Sequence, residues 1–321
     1  MAIEVPNTDP ILDPAWARAA LTGTFGEALS VFNELVRYAV QLLKRSLTTG
    51  PDDIPHHLIL SVLFRQAIAT ADAAGELIGV GACDAAQVQL RALMEARWGL
   101  MLAIRDPKKW GTHLYVASRR EQLSQISKAI PGTPEHESDG ETRDLINRYG
   151  GKPVISPDDA EKHREALEKI LERPQYAAIS AGFAQFVKEK HHEPPWYYDT
   201  AAPKNERLTS IWKLASEVGA AGEYKSIYHH ASYFMHGGYT GTHLTTDERG
   251  VAVTPIRSPA NARPVLLLGF SLLADCCMKV IDYWRPDERT RFTQKYVDEW
   301  REVIRQMPEI KIGMGEAVNR T

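Results

Sequence analysis

Apolar residues recur at three- and four-residue intervals along most of the chain, the repeat expected when one face of a helix is buried. Phe32, Leu35, Ala39 and Leu42 form such a stripe inside a long helix predicted over 14–46, and Gly50-Pro51 stops it. Leu60, Phe64, Ala67, Ala71, Ala74 and Ile78 carry the same alternation through a second helix that starts near Ile54 and breaks at Gly79 and Gly81. That spacing suits antiparallel helix packing. A third helix is predicted from Asp84, with Gln87 three residues on as a capping-box partner, to about Ile104, where Asp106-Pro107 closes it. Val88, Leu90, Leu93, Met94, Trp98, Leu100 and Met101 make it apolar on nearly every side, so it belongs at the centre of the fold.

The pattern then becomes more polar. A helix is expected over 108–129, followed by a stretch from Pro131 to Ile155 rich in Gly, Pro and acidic residues, the best candidate for a lobe boundary. Ser156-Pro157-Asp158-Asp159 opens a charged helix to Arg173, and another runs from Pro174 to about Lys190. His191 to Tyr198 includes Pro194-Pro195 and reads as an aromatic-rich loop. Leu208, Ile211, Trp212, Ala215 and Val218 mark a further amphipathic helix stopped by Gly219, and a short one follows from about Ala221 to Met235. His243 to Val253 is the one strand-like segment, a small hairpin with a Gly-containing turn. Helices over 264–284 and 287–306 complete the chain. The fold expected is an all-α antiparallel helical bundle, with an N-terminal helix (1–50) on a core domain (51–285), a helical insertion over about 130–205, and a C-terminal helix and tail (286–321).

Composition narrows the function classes. With 44% hydrophobic and 25% charged residues the chain lies far from the disordered range. A net charge of -3 gives no broad basic field, which disfavours a wide nucleic-acid surface while leaving room for a small RNA or nucleotide site. Three cysteines without CxxC exclude a disulfide framework, and Cys276-Cys277 sit in an apolar run as core thiols. That run, Val265 to Ala274, stops at Asp275, short of the ~20 residues of a membrane span, so a buried core helix and no membrane partner are expected. The acidic start is unlike a secretory leader, and a cytoplasmic location is expected. Signatures of P-loop, Rossmann and GxSxG enzymes are absent, and no cofactor is expected.

Candidate chemistry gathers in two segments. On the third helix Arg91 and Glu95 share a stripe with Val88, Trp98 and Leu102, a charged pair among apolar neighbours that needs a third polar partner. Tyr224, Tyr228, Ser232 and His236 recur every four residues and align two phenols, a hydroxyl and an imidazole on one helix face. Facing each other, the two rows would make a polar layer inside a bundle.

Three segments carry a resemblance: Leu90-Arg91-Ala92-Leu93-Met94-Glu95-Ala96-Arg97-Trp98, then Pro195-Trp196 leading into Leu208-Thr209-Ser210-Ile211-Trp212, then Tyr224 through His236-Gly237. They resemble an uncharacterised helical domain-of-unknown-function family, number 5677, of bacteria and archaea. It looks related to the HEPN helical superfamily, whose active members are metal-independent ribonucleases of toxin and defence systems. The resemblance implies a helical core over roughly 50–285 with a variable middle, and an RNA- or nucleotide-directed protein of bacterial defence or stress response. The superfamily hallmark, Arg followed after four to six residues by His on one helix, is missing; His230 stands closest to the Arg position, and the Arg would come from Arg91. In a catalytic site His236 is the acid or base, Arg91 holds a phosphate through its planar fork, Glu95 orients Arg91, and Tyr228, Ser232, Tyr224 and Trp196 position substrate.

Other readings of these residues are a satisfied structural network in a non-catalytic scaffold or regulator, and a metal site built on His229, His236 and His243. A homodimer sharing the site between subunits also suits the long mixed-charge helices.

Overall fold

A computed structural model of the chain describes residues 12–48, 54–150, 155–229, 231–232, 244–247 and 250–308. It divides into two compact units: the first comprises Met1–Asp52, Leu60–Arg105 and Ala215–Thr321, the second Asp53–Ile59 and Asp106–Leu214. The fold is all-α apart from a single two-stranded ladder among the described residues.

In the first unit α1 spans Pro14–Thr48, and the Asp13 carboxylate accepts from the Trp16 N–H at 2.9 Å in its first turn. Its buried stripe, Ala17, Leu21, Phe25, Ala28, Phe32, Leu35, Ala39 and Leu42, is the alternation of fours and threes read from the sequence. Helix α2 covers Ile54–Gly79 and α3 covers Cys83–Arg105, with Leu90, Leu93, Met94, Trp98 and Leu100 buried as expected of a central helix. The helix Ala262–Trp284, here α11, packs on both α1 and α3 and buries Val265, Leu266, Phe270, Leu273, Cys276, Cys277 and Ile281. Phe32 sets the spacing: a Cβ on Gly75 or on Gly269 would come within 3.1 Å of its ring. Two helix-interior glycines, each costing about 1 kcal/mol in propensity, let the backbones close on that phenyl group. The segments Leu58–Gly79 and Ala262–Trp284 are long and apolar enough to cross a membrane, yet more than half of each apolar window is buried against the rest of the protein.

The α2–α3 turn rests on Gly81, whose φ of +82° places it in the left-handed region. Its carbonyl accepts from the Ser258 N–H at 2.9 Å, and Arg257 Nη1 donates to the Val80 carbonyl at 2.8 Å. The capping box expected at Asp84 takes another form. The helix already begins at Cys83, so the Asp84 carboxylate accepts from the Gln87 side chain at 3.4 Å and from Asn261 Nδ2 at 2.8 Å.

Leu244–Asp247 (β1) and Gly250–Val253 (β2) pair antiparallel, Leu244 opposite Val253 and Asp247 opposite Gly250, which is the expected hairpin. The helix expected over 287–306 is composite: a 3-10 turn at Pro286–Glu288, α12 (Arg289–Lys295), a π turn at Tyr296–Trp300 and α13 (Arg301–Arg305). Arg45 clamps it with two hydrogen bonds to Glu288, at 3.1 and 2.7 Å.

The second unit takes in α4 (Pro107–Ser127) and the chain after it up to Leu214. Asp106 caps α4 by accepting from the Lys109 N–H at 3.0 Å. The Gly- and Pro-rich stretch holds two short helices, α5 (Pro134–Ser138) and α6 (Gly140–Arg148). Helix α7 (Pro157–Leu171) opens on Ser156, whose hydroxyl accepts from the Asp159 N–H and donates to its carboxylate. Helix α8 (Pro174–Lys190) ends at His191, with φ at 61°. Val116, Leu171, Phe183, Phe186 and Tyr198 form this unit's core, the last of them from the aromatic loop. Helix α9 (Ile211–Glu217) then leads to Gly219, whose φ is +81°.

Candidate functional site

Arg91, Glu95 and Trp98 follow one another at four and three residues on α3 and so project from one face. The opposing wall begins at α10 (Ala221–Glu223) and continues without interruption into a π turn, Tyr224–Tyr228, in which the His229 N–H bonds to the Tyr224 carbonyl five residues back. The wider turn stacks the Tyr224 and Tyr228 rings, with centroids 4.9 Å apart and planes at 20°. Trp98 lies against both, 5.3 Å from Tyr228 and 6.3 Å from Tyr224.

The polar groups close a triangle. Arg91 Nε donates to the Tyr228 hydroxyl at 2.8 Å and to Glu95 Oε1 at 3.2 Å, while the same hydroxyl donates to Glu95 Oε1 at 2.5 Å. The guanidinium carbon also lies 4.8 Å from the Tyr228 ring centroid, within cation–π range. Tyr228 is buried, but the Arg91 side chain keeps 23% and Glu95 39% of their exposure, so the cluster reaches the surface. Burial pushes the Tyr228 phenol well above the usual tyrosine value of 10; the hydrogen bond to Glu95 adds to this and Arg91 opposes it. Burial works against the Arg91 charge, yet Tyr228 and Glu95 outweigh it and hold the guanidinium protonated. The expectation that Arg91 and Glu95 need a third partner on the tyrosine row is met by Tyr228.

The other expected residues fall variously. Ser232 donates its hydroxyl proton to the Tyr228 carbonyl at 2.9 Å, an engagement within its own helix. His229 is exposed just after the π turn. His236 and His243 lie outside the described residues. Among the described residues no group of three His, Cys, Asp or Glu side chains is disposed to hold a metal ion. Trp196 belongs to the second unit, where it meets Trp110 edge-on at 6.3 Å and Tyr197 at 5.5 Å.

Sequence reasoning missed a second ion network on the same helix. Arg97, with its side chain only 12% exposed, donates from Nη1 to Glu223 Oε2 at 2.7 Å and from Nε to Asp275 Oδ2 at 2.5 Å. Trp98 Nε1 donates to the same Glu223 oxygen at 3.0 Å, so one carboxylate ties the start of the π turn to two neighbouring residues of α3. The signal was Asp275 itself, a carboxylate interrupting the most apolar run of the chain, which requires a cationic partner.

Residues 57–251 match the model of a family of unknown function (DUF5677). No curated protein and no solved structure matches the chain.

Proposed function

We propose, for a chain that belongs to DUF5677, a family of unknown function, that the Arg91–Glu95–Tyr228 cluster is the phosphate-recognition site of an RNA- or nucleotide-directed helical protein. The protein is HEPN-like and acts in bacterial defence or stress response as a metal-independent ribonuclease. One observation carries the reading: the Arg91 guanidinium is oriented through its Nε by Tyr228 and Glu95 while the side chain remains partly open to solvent. A planar cation fixed in this way suits an anionic phosphate better than a freely rotating one, because less side-chain entropy is lost on binding.

In the proposed reaction the 2′-oxygen of RNA bonds to the adjacent phosphorus as its proton passes to His236. The bond to the 5′-oxygen breaks, and that oxygen leaves as an alcohol on receiving a proton from the imidazolium. Arg91 stabilises the charge gathering on the phosphoryl oxygens. His236 enters this scheme from the sequence alone.

The test is cleavage of a mixed RNA pool by wild type, His236→Ala and Arg91→Ala, with and without chelator. Cleavage that ignores chelator and falls about 10²-fold or more in His236→Ala, with unchanged unfolding, supports the proposal. Chelator-sensitive cleavage points to a metal site instead.

A second reading has its own observation in its favour: Arg91, Glu95 and Tyr228 satisfy one another, with the Arg97–Glu223–Asp275 network beside them. On that reading the cluster specifies how α3 meets the π turn in a scaffold or regulator. Absence of cleavage under every condition, with Arg91→Ala losing stability, establishes it in place of the first.

A further inference from the structure

In the second unit one imidazole is held in a way that no site described above uses. His113, in the second turn of α4, is 5% exposed. Its Nδ1 lies 2.9 Å from the Lys109 carbonyl one turn back; a carbonyl only accepts, so Nδ1 carries the proton and the neutral ring leaves Nε2 as a bare acceptor. That Nε2 is shut off from solvent and has no hydrogen-bond partner among the described residues. The walls around the ring are aromatic: Trp110 at 5.4 Å from α4 itself and Phe183 at 6.3 Å from α8. Phe183 in turn belongs to the cluster built by Val116, Leu171, Phe186 and Tyr198. The charged groups that act on the ring are Lys109 and Asp106 on its own element and Asp199 in the loop after α8, while α7 contributes Leu171 and α8 Phe183 and Phe186 to the adjoining core. Lys109 and Asp199 pair with each other at 2.5 Å, which leaves Asp199 engaged.

We propose that His113 is an acid-sensitive latch: neutral, it seals the packing of α4 on α8, and a proton on Nε2 breaks that packing because the new N–H has no acceptor inside the aromatic walls. Adding this proton creates a buried donor and a buried charge together, each unfavourable without a partner. Rearrangement that brings water or the Asp199 carboxylate to Nε2 satisfies both, and it requires α4 and α8 to part. Burial sets the direction, holding the imidazole below its usual value of 6.5, with Lys109 acting the same way and its backbone bond and Asp199 opposing. The sign follows: the folded unit binds this proton more weakly than the unfolded chain does, so its stability is complete above the ordinary imidazole value and declines as pH falls below it.

The experiment is amide hydrogen exchange of the full chain, corrected for intrinsic rates, at about pH 7.5 and pH 5.5, for wild type and His113→Phe. NMR of the wild-type imidazole reports tautomer and titration alongside. The expected result is an Nδ1–H tautomer that titrates below the ordinary range. Peptides from α4 and α8 should lose protection by up to about tenfold per pH unit in wild type, while His113→Phe holds its protection. Equal acid loss in His113→Phe, or a ring that titrates at the ordinary value with no change in protection, overturns the proposal. Should the Phe variant fail to fold, the wild-type midpoints decide: coincidence of the NMR titration with opening of α4 and α8 supports the latch, and separation of the two overturns it.

Discussion

The Tyr228 hydroxyl is the pivot between a cation and an anion, accepting from Arg91 and donating to Glu95. Tyr228→Phe removes both bonds but keeps the ring that Arg91, Trp98 and Tyr224 touch. Bonds to charged groups contribute more than neutral ones, yet Glu95 is more than a third exposed and solvent screens its share. The expected loss is therefore about 1 kcal/mol, measured by urea unfolding near neutral pH. A second phenol makes a pH prediction. Tyr38 is pushed up to about 12 by burial first and by Glu288 next, with Arg45 opposing. Its folded value lies above its unfolded one, so the stability it brings is complete below about pH 10 and is lost as pH rises towards 12. Wild type should lose up to about 1.4 kcal/mol per pH unit more than Tyr38→Phe over that window, read from unfolding curves at stepped alkaline pH. Parallel decline of the two proteins would assign the alkaline loss elsewhere.

At the scale of elements, the turn between α2 and α3 is the most demanding junction. An alanine at Gly81 must hold a positive φ, and its Cβ would stand 2.7 Å from the Cβ of Ala17 on α1. Left-handed strain alone costs about 1 kcal/mol or more, and α1 must also shift, so Gly81→Ala should destabilise by about 2–4 kcal/mol in urea unfolding. The sequence showed that a break falls here, because Gly79 and Gly81 interrupt a regular stripe. It could not show that Ser258 and Arg257, some 177 residues away, bond to the turn's carbonyls. The site was legible to the same depth. Arg91 and Glu95 announced themselves as charges on an apolar stripe, and Tyr228 as a phenol on a polar row. The π turn was not legible, since a four-residue recurrence fits an α-helix equally well and the extra residue per turn is decided by packing. Arg97 was hidden because its partners, Glu223 and Asp275, come from two distant segments.

At the scale of the whole molecule, Asp106-Pro107 read as the end of one helix and the start of the next, and it is also where the chain passes from one compact unit to the other. A local stop signal carries no information about which core the following helix joins; that is settled by Val116 meeting Leu171, Phe183 and Phe186. Two cores imply two stabilities. Phe183 is fully buried, and its ring contacts His113 and Tyr198 within the second unit. Phe183→Ala deletes that ring from a close-packed site and should lower the second unit by about 3–5 kcal/mol. If each unit is held by its own core, hydrogen exchange should show the loss in peptides from α4, α7 and α8, while α1, α3 and α11 keep their wild-type protection. Equal loss across both sets would mean that the 321 residues unfold as one cooperative body. In that case the separation of cores marks only a change of neighbours along the chain, and the latch at His113 would govern the stability of the entire protein.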